Sequence, residues 1–176
     1  MNSRCYLIGY RGTGKSTIGP LLAQSLGWSF MDADSVLENR YGNSIRQIFA
    51  SEGEPAFRDK ESLILQELAG YSKCVIATGG GIILRETNRQ CLRRSGFIIW
   101  LSADPTTILR RIAADPTTQH RRPQLTTGGL GEIETLLQLR IPFYQELADL
   151  KIDTSERSPT SLVEDILTQW KPYHPM

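Results

Sequence analysis

The stretch Gly9-Tyr-Arg-Gly-Thr-Gly14-Lys15-Ser16-Thr17 decides the fold of this chain and is referred to below as the P-loop. It completes the pattern G-x-x-x-x-G-K-[ST], in which backbone N–H groups at the start of a helix surround phosphate oxygens. An apolar run precedes it, and four aliphatic residues follow it at helical spacing: Ile18, Leu21, Leu22 and Leu26. This strand, loop and helix context favours nucleotide binding over a turn that is merely rich in glycine.

The P-loop also predicts individual roles. We expect Lys15 to reach the outer phosphates and the Ser16 hydroxyl to hold a Mg²⁺ ion that bridges them. The expected ATP-binding residues of the loop are Gly12, Thr13, Gly14, Lys15, Ser16 and Thr17.

Length and composition limit the other possibilities. A chain of 176 residues that is 40% hydrophobic fits a single domain over residues 1–176. A net charge of +1 gives no basic footprint for nucleic acid, and together with the small size it is typical of a monomer. Cys5, Cys74 and Cys91 lack C-x-x-C spacing, so neither a disulfide framework nor a zinc site is predicted. Because no apolar run approaches membrane-spanning length and no signal peptide is expected, the predicted location is the cytoplasm.

Short apolar runs alternate with helical patterns along the whole chain. Besides Arg4 to Ile8, the candidate strands are Trp28 to Met31, Cys74 to Ala77, Phe97 to Leu101 and Leu150 to Ile152. This alternation predicts an α/β fold in which helices cover both faces of a parallel sheet.

Residues 114–131 interrupt the alternation with prolines, glycines and paired threonines. A long loop in a compact domain is usually functional, and phosphoryl transfer requires the exclusion of water. We interpret the segment as a mobile lid over the nucleotide; a surface insertion without function is the alternative.

Two carboxylates, Asp32 and Asp34, follow the second candidate strand. In an extended segment both would face the same side, at the edge of the sheet where ligands bind. One could help to hold Mg²⁺ while the other binds a substrate hydroxyl. The alternative is that Asp34 caps a helix that begins near Val36, and spacing alone does not decide between them.

The sequence Thr78-Gly79-Gly80-Gly81 follows the third candidate strand. Three glycines permit a close approach between backbone and ligand, but on sequence alone a tight turn with positive φ is the preferred interpretation.

Arginines supply candidate anion-binding groups. Arg58 and Glu61 share a helix face by their i,i+3 spacing, which would hold the guanidinium in place. Arg122 lies in the lid segment and Arg140 on a later helix. Each alone is typical of a solvated surface group, but planar guanidiniums also match carboxylate and phosphate.

Taken together these motifs resemble the shikimate kinase family. The elements that carry the resemblance run in order along the chain: Gly9 to Thr17, Asp32-Ala-Asp34, Gly53-Glu54-Pro-Ala-Phe57-Arg58 through Glu61, Thr78-Gly-Gly-Gly81, Arg122-Pro123 and Arg140-Ile-Pro142-Phe-Tyr144. The resemblance implies a three-layer P-loop kinase fold, with a five-stranded parallel sheet of order 2-3-1-4-5. It also implies transfer of the γ-phosphoryl group of ATP to the 3-hydroxyl of shikimate.

The resemblance further implies a role for each site residue. Lys15, Asp34 and Arg122 would be catalytic, with Asp34 orienting the hydroxyl and Arg122 arriving with the lid. The substrate region spans about residues 32–61, and Ser16 and Asp32 would hold Mg²⁺. Arg157 would pack on adenine. The expected shikimate-binding residues are Asp34, Arg58, Gly79, Gly80, Gly81 and Arg140.

The sequence departs from the family pattern at two positions, and two alternative functions remain. The region Ala113-Ala-Asp115 lacks a second basic residue that the family often carries on the adenine side, and Gln124 stands where a leucine often follows Arg-Pro. A gluconate or nucleotide kinase of the same fold and a catalytically silent nucleotide-binding module are the alternative functions.

Overall fold

One parallel sheet organises the molecule, a computed structural model that describes residues 4–115 and 129–170. Its strand order is β2-β3-β1-β4-β5, which confirms the order that the resemblance to the shikimate kinase family implies. The strands are β1 (Arg4–Ile8), β2 (Ser29–Asp32), β3 (Cys74–Ala77), β4 (Phe97–Ser102) and β5 (Leu150–Asp153).

Strand β2 begins one residue later than predicted. The backbone N–H of Trp28 donates to the carbonyl of Ala23 at 2.9 Å, so Trp28 still belongs to the end of the preceding helix. Ser29 then donates to Lys73 at 2.9 Å and opens the ladder with β3. A helix end therefore sets the boundary that hydrophobicity alone places too early.

Helices separate the strands and lie on both sides of the sheet. They are α1 (Lys15–Leu26), α2 (Ala33–Tyr41), α3 (Ile45–Leu68), α4 (Glu86–Ser95), α5 (Pro105–Ala114), α6 (Gly129–Leu147) and α7 (Pro159–Trp170), with a 3₁₀ turn at Ile82–Leu84. Their signals in sequence are confirmed at several ends: Ser44 and Gln47 form a capping box, Pro105 stands in the first turn of α5, and Gly42 ends α2.

Alternate residues of the central strand β1 enter two separate cores. Tyr6 and Ile8 pack in one core with residues of α2, α3, α4 and α6. Cys5 and Leu7 pack in the other core with residues of α1 and α7. Because successive side chains point to opposite faces, this division shows the three-layer arrangement.

Helix α3 is kinked at Gly53, where φ is 83° and ψ is 174°. This conformation is essentially restricted to glycine. Pro55 lies two residues later, where a proline fits the start of a new helical segment. The kink gives the second half of α3 its own direction, and that half carries Arg58 and Glu61.

No helix within residues 4–115 and 129–170 is long and apolar enough to cross a bilayer. The predicted lid lies mostly outside these ranges, and Arg122, Pro123 and Gln124 lie outside them entirely.

Candidate active site

A cleft of about 470 Å³ opens at the carboxyl ends of β1, β2 and β3. In open parallel sheets this is where ligands bind. Most of the predicted site residues that the structure describes line it: Gly12, Gly14, Lys15, Ser16, Thr17, Asp32, Asp34, Gly80 and Arg157. One cavity therefore brings the P-loop together with both aspartates and the glycine-rich segment.

The P-loop leaves β1 and enters α1 through left-handed glycines. Gly12 has φ of 79° and Gly14, the N-cap of α1, has φ of 94°. The Lys15 ammonium donates to the carbonyls of Gly9 at 2.7 Å and Tyr10 at 2.8 Å. Thr13 is buried, and its hydroxyl donates to the Tyr10 carbonyl at 2.7 Å. These bonds fix the loop around the lysine that is predicted to meet phosphate.

Asp32, and not Asp34, caps helix α2. One Asp32 carboxylate oxygen accepts a hydrogen bond from the Ser35 backbone N–H at 3.1 Å, and the helix begins at Ala33. The alternative interpretation, in which Asp34 caps a helix that begins near Val36, is therefore wrong. So is the extended spacing that was expected to align the two carboxylates, because Asp34 lies in the first turn of α2. The turn of the helix still leaves both carboxylates in the cleft wall.

The other Asp32 oxygen accepts from the Ser16 hydroxyl at 3.1 Å. A hydroxyl and a carboxylate this close are oxygen donors of the type that Mg²⁺ prefers. Among the described residues there is no cluster of three or more His, Cys, Asp and Glu side chains that could hold a metal. The pair therefore fits an ion that keeps water and phosphate oxygens as its remaining ligands.

Arg58 is held by two carboxylates of the second half of α3. Its Nη1 lies 2.8 Å from Glu61, and its Nη2 lies 3.0 Å from Glu54. The Arg58 side chain is 12% exposed and that of Glu61 is 5% exposed, whereas Glu54 is at the surface. The i,i+3 contact predicted from sequence is confirmed, and it fixes the guanidinium before any ligand binds.

None of Gly79, Gly80 and Gly81 has a positive φ, and Gly80 and Gly81 are needed instead for close packing. A Cβ atom on Gly81 would lie 2.6 Å from Nη2 of Arg58, and one on Gly80 would lie 3.2 Å from the Gly9 carbonyl oxygen. The segment does turn, since the Ile82 backbone N–H donates to the Gly79 carbonyl at 3.2 Å, but the positive φ expected of a tight turn is wrong. The segment lets Arg58 and the P-loop approach the same stretch of backbone.

Arg140 reaches this stretch from α6. Its Nη1 donates to the Gly80 carbonyl at 3.4 Å, and the Tyr144 hydroxyl donates to the same oxygen at 2.7 Å. The Arg140 guanidinium also lies 5.4 Å from the centre of the Tyr10 ring. Arg58 and Arg140 thus converge on Gly80 and Gly81 from two helices that are distant in sequence.

Arg157 lies between β5 and α7. It forms an ion pair with Asp165, which raises the pKa of Arg157 and lowers the pKa of the Asp165 carboxyl. The Arg157 side chain is 42% exposed. It remains at the cleft wall, where a flat guanidinium can face a planar ligand.

Arg111 is a cleft residue that sequence reasoning missed. Its Nη1 donates to the Thr154 hydroxyl at 3.0 Å and the Gly12 carbonyl at 3.3 Å. The stretch Ala113 to Asp115 still lacks a basic residue, but Arg111 on the same helix places a second cation beside Arg157 in the cleft wall. The available signal was its position three residues after the buried Ile108, which places a charge beside the apolar stripe of α5.

Comparison with known proteins agrees with this geometry. The family model described as shikimate kinase matches residues 11–171. A shikimate kinase of Rhodopirellula baltica is 45% identical over 163 residues, covering 92% of this chain and 87% of the relative. The structure of Acinetobacter baumannii shikimate kinase in complex with shikimate superposes with a TM-score of 0.91 at 32% identity, covering 99% of this chain and 96% of that chain. The shikimate kinase of Aquifex aeolicus gives a TM-score of 0.82 at 34% identity, covering 97% of each chain.

Proposed function

The chain belongs to the shikimate kinase family, and we propose that it phosphorylates the 3-hydroxyl of shikimate with ATP in the cleft lined by Lys15 and Gly80, beside Arg58 and Arg140. It is an enzyme of this kind, which acts in the biosynthesis of chorismate and the aromatic amino acids. The family assignment favours shikimate over gluconate or a nucleotide as acceptor, and an enzyme over a silent binding module.

One observation carries the assignment of the site. A lysine at the start of a helix and two arginines on separate helices meet around the same glycine-rich backbone. The lysine at the start of a helix suits phosphates, and the pair of arginines suits a small carboxylate. The acceptor hydroxyl and the phosphoryl group would therefore lie next to each other.

The nucleotide half of the site belongs to the P-loop. Backbone N–H groups from Gly12 to Thr17 would bind the phosphates, and Lys15 would exchange its carbonyl partners for the outer phosphate oxygens. Ser16 and Asp32 would hold Mg²⁺, which when bound neutralises charge on the phosphates. Arg157 and Arg111 would border the adenine side.

The acceptor half belongs to α2, α3 and α6. Arg58 and Arg140 would bind the carboxylate of shikimate, and the backbone of Gly79, Gly80 and Gly81 would contact its ring. Asp34 would accept a hydrogen bond from the acceptor hydroxyl and orient it. Because the transition state of phosphoryl transfer is loose, we assign Asp34 to orientation first and to proton removal late in the reaction.

Three further properties complete the proposal. The 176 residues would act as one domain, with residues 114–131 closing over the nucleotide and bringing Arg122 to the developing charge. The enzyme would work as a monomer in the cytoplasm. Size-exclusion chromatography with light scattering measures the oligomeric state directly.

The decisive experiment measures ADP release by the purified protein with ATP and shikimate, against ATP alone and ATP with gluconate. We expect release to depend on shikimate, and ³¹P NMR to show the phosphate on the 3-oxygen. In Arg58→Ala the shikimate KM should rise strongly while the ATP KM stays similar, because the lost contact belongs to one ligand. Equal weakening of both KM values would contradict the assigned role of Arg58.

A further inference from the structure

Arg11 lines the cleft wall, and the proposed function gives it no part in binding ATP or shikimate. It stands in the P-loop between Tyr10 and Gly12. The Nε atom of its guanidinium is shielded from solvent and has no hydrogen-bond partner among residues 4–115 and 129–170. An N–H donor of a charged group is unfavourable when it is shielded from water and has no acceptor. The Nε–H of Arg11 therefore points to a ligand that supplies the acceptor.

The other cations that line the cleft are already engaged within the described part of the chain. Lys15 donates to two main-chain carbonyls, Arg111 to a threonine and Arg157 to an aspartate. The contact seen for the Arg11 guanidinium is with the Tyr10 ring, whose centre lies 6.0 Å away. An aromatic face attracts the cation but supplies no acceptor in the plane of the guanidinium.

Arg11 is placed between the two halves of the site. Its backbone nitrogen lies 3.5 Å from the position that a Cβ of Gly80 would occupy, so the P-loop and the glycine-rich segment touch there. The preceding residue, Tyr10, contacts both halves. Its carbonyl accepts from Lys15 at 2.8 Å, and its ring faces Arg140 at 5.4 Å.

We propose that Arg11 binds the phosphoryl group after its transfer, as the phosphate of the phosphorylated product. This inference rests on the proposed function, because it requires the acceptor to bind beside Gly80. A guanidinium matches a phosphate through parallel N–H donors, and the product differs from the substrate by that dianionic group. Arg11 therefore distinguishes shikimate 3-phosphate from shikimate and retains the product until it is released.

The test compares wild type, Arg11→Met, Arg11→Lys and the control Arg94→Met, an exposed arginine on α4. Isothermal titration measures the Kd of shikimate 3-phosphate, shikimate and ADP separately. Loss of one charge-assisted hydrogen bond should raise the Kd of shikimate 3-phosphate about tenfold in Arg11→Met. The Kd of shikimate and of ADP should stay within about twofold, a range too small to represent a lost contact of this kind. Arg11→Lys should recover part of the affinity, and Arg94→Met should behave as wild type.

Three outcomes would overturn the inference. Equal weakening of shikimate and its phosphate would show that Arg11 shapes the acceptor pocket, and weakening of ADP would assign Arg11 to the nucleotide. Unchanged affinities would show that it binds neither ligand. A wild-type protein that turns over ATP without any dependence on shikimate would instead refute the proposed function, so the two failures are distinguishable.

Discussion

Gly81→Ala tests whether the position of Arg58 determines the use of the acceptor. The new methyl group would lie 2.6 Å from Nη2 and 2.7 Å from Cζ of Arg58. Ordinary contact begins near 3.4 Å, so the guanidinium must retreat by about 1 Å. Gly81 has φ of −98° and ψ of 0°, so the backbone does not require glycine. The whole effect therefore falls on the arginine and its bonds to Glu54 and Glu61.

We expect kcat/KM for shikimate to fall about 10- to 100-fold, since a displacement of 1 Å in a positioning group has effects of this size. The KM for ATP should not change, because the P-loop is untouched. Coupled measurement of ADP at varied shikimate and fixed saturating ATP gives the value. The control is Gly70→Ala in the turn after α3, whose Cβ would meet the Glu67 carbonyl oxygen at 3.2 Å and not Arg58. A Gly81→Ala enzyme with kcat/KM for shikimate within about threefold of wild type would refute the argument. It would show that the position of the Arg58 guanidinium does not determine how shikimate is used.

Three more variants probe other parts of the site and fold. Lys15→Met should lower kcat by a factor of about 100 or more with the fold intact, because the positive charge that stabilises the transferred phosphoryl group is lost. Near-normal turnover would argue against this role of Lys15. Tyr144→Phe should lower the free energy of unfolding by about 1 kcal/mol in urea titration, since the Gly80 carbonyl keeps only the longer bond from Arg140; an unchanged midpoint would contradict this. Hydrogen bonds from the side chain and backbone of Thr107 lower the pKa of Asp104 to about 2. In thermal melts the Tm of wild type should exceed that of Asp104→Asn by its full amount above about pH 4. This difference in Tm should disappear as the pH falls through about 2, and a difference that does not change with pH would contradict the argument.

The strands of the sheet could be predicted from the sequence because their signals are local, whereas their order came from the family resemblance. Each strand is a short run of apolar residues whose side chains enter one or both of the two cores, and glycines or capping residues mark the helix ends nearby. The start of β2 shifted by one residue because Trp28 is still hydrogen-bonded to the end of α1.

The capping role of Asp32 could not be predicted because it depends on pairing between strands. Asp32 and Asp34 have the same intrinsic preference for a cap. The choice is made where β2 stops, and the register with β3 pairs Asp32 with Ala77 at the last position of both strands. Helix α2 then begins at Ala33 and leaves Asp34 for the cleft.

Arg111 and the glycine-rich segment were misread for a different reason. Arg111 binds Gly12, which is 99 residues away, and Thr154, which is 43 residues away. Gly81 must be small because of Arg58, which reaches it from another helix. Sequence patterns report on neighbours along a helix or strand, whereas these requirements arise from groups that only the fold brings together.

Thr154 has a consequence for how quickly the enzyme can capture its nucleotide. Its hydroxyl donates to the Thr13 carbonyl at 3.0 Å, and Arg111 donates to the carbonyl of Gly12. The bend of the P-loop is therefore held by the residue that follows β5 and by α5. The entropy of ordering that bend is lost during folding and need not be lost again at each encounter. Incoming triphosphate meets a rigid receptor, and association is then governed by diffusion and charge more than by rearrangement of the loop.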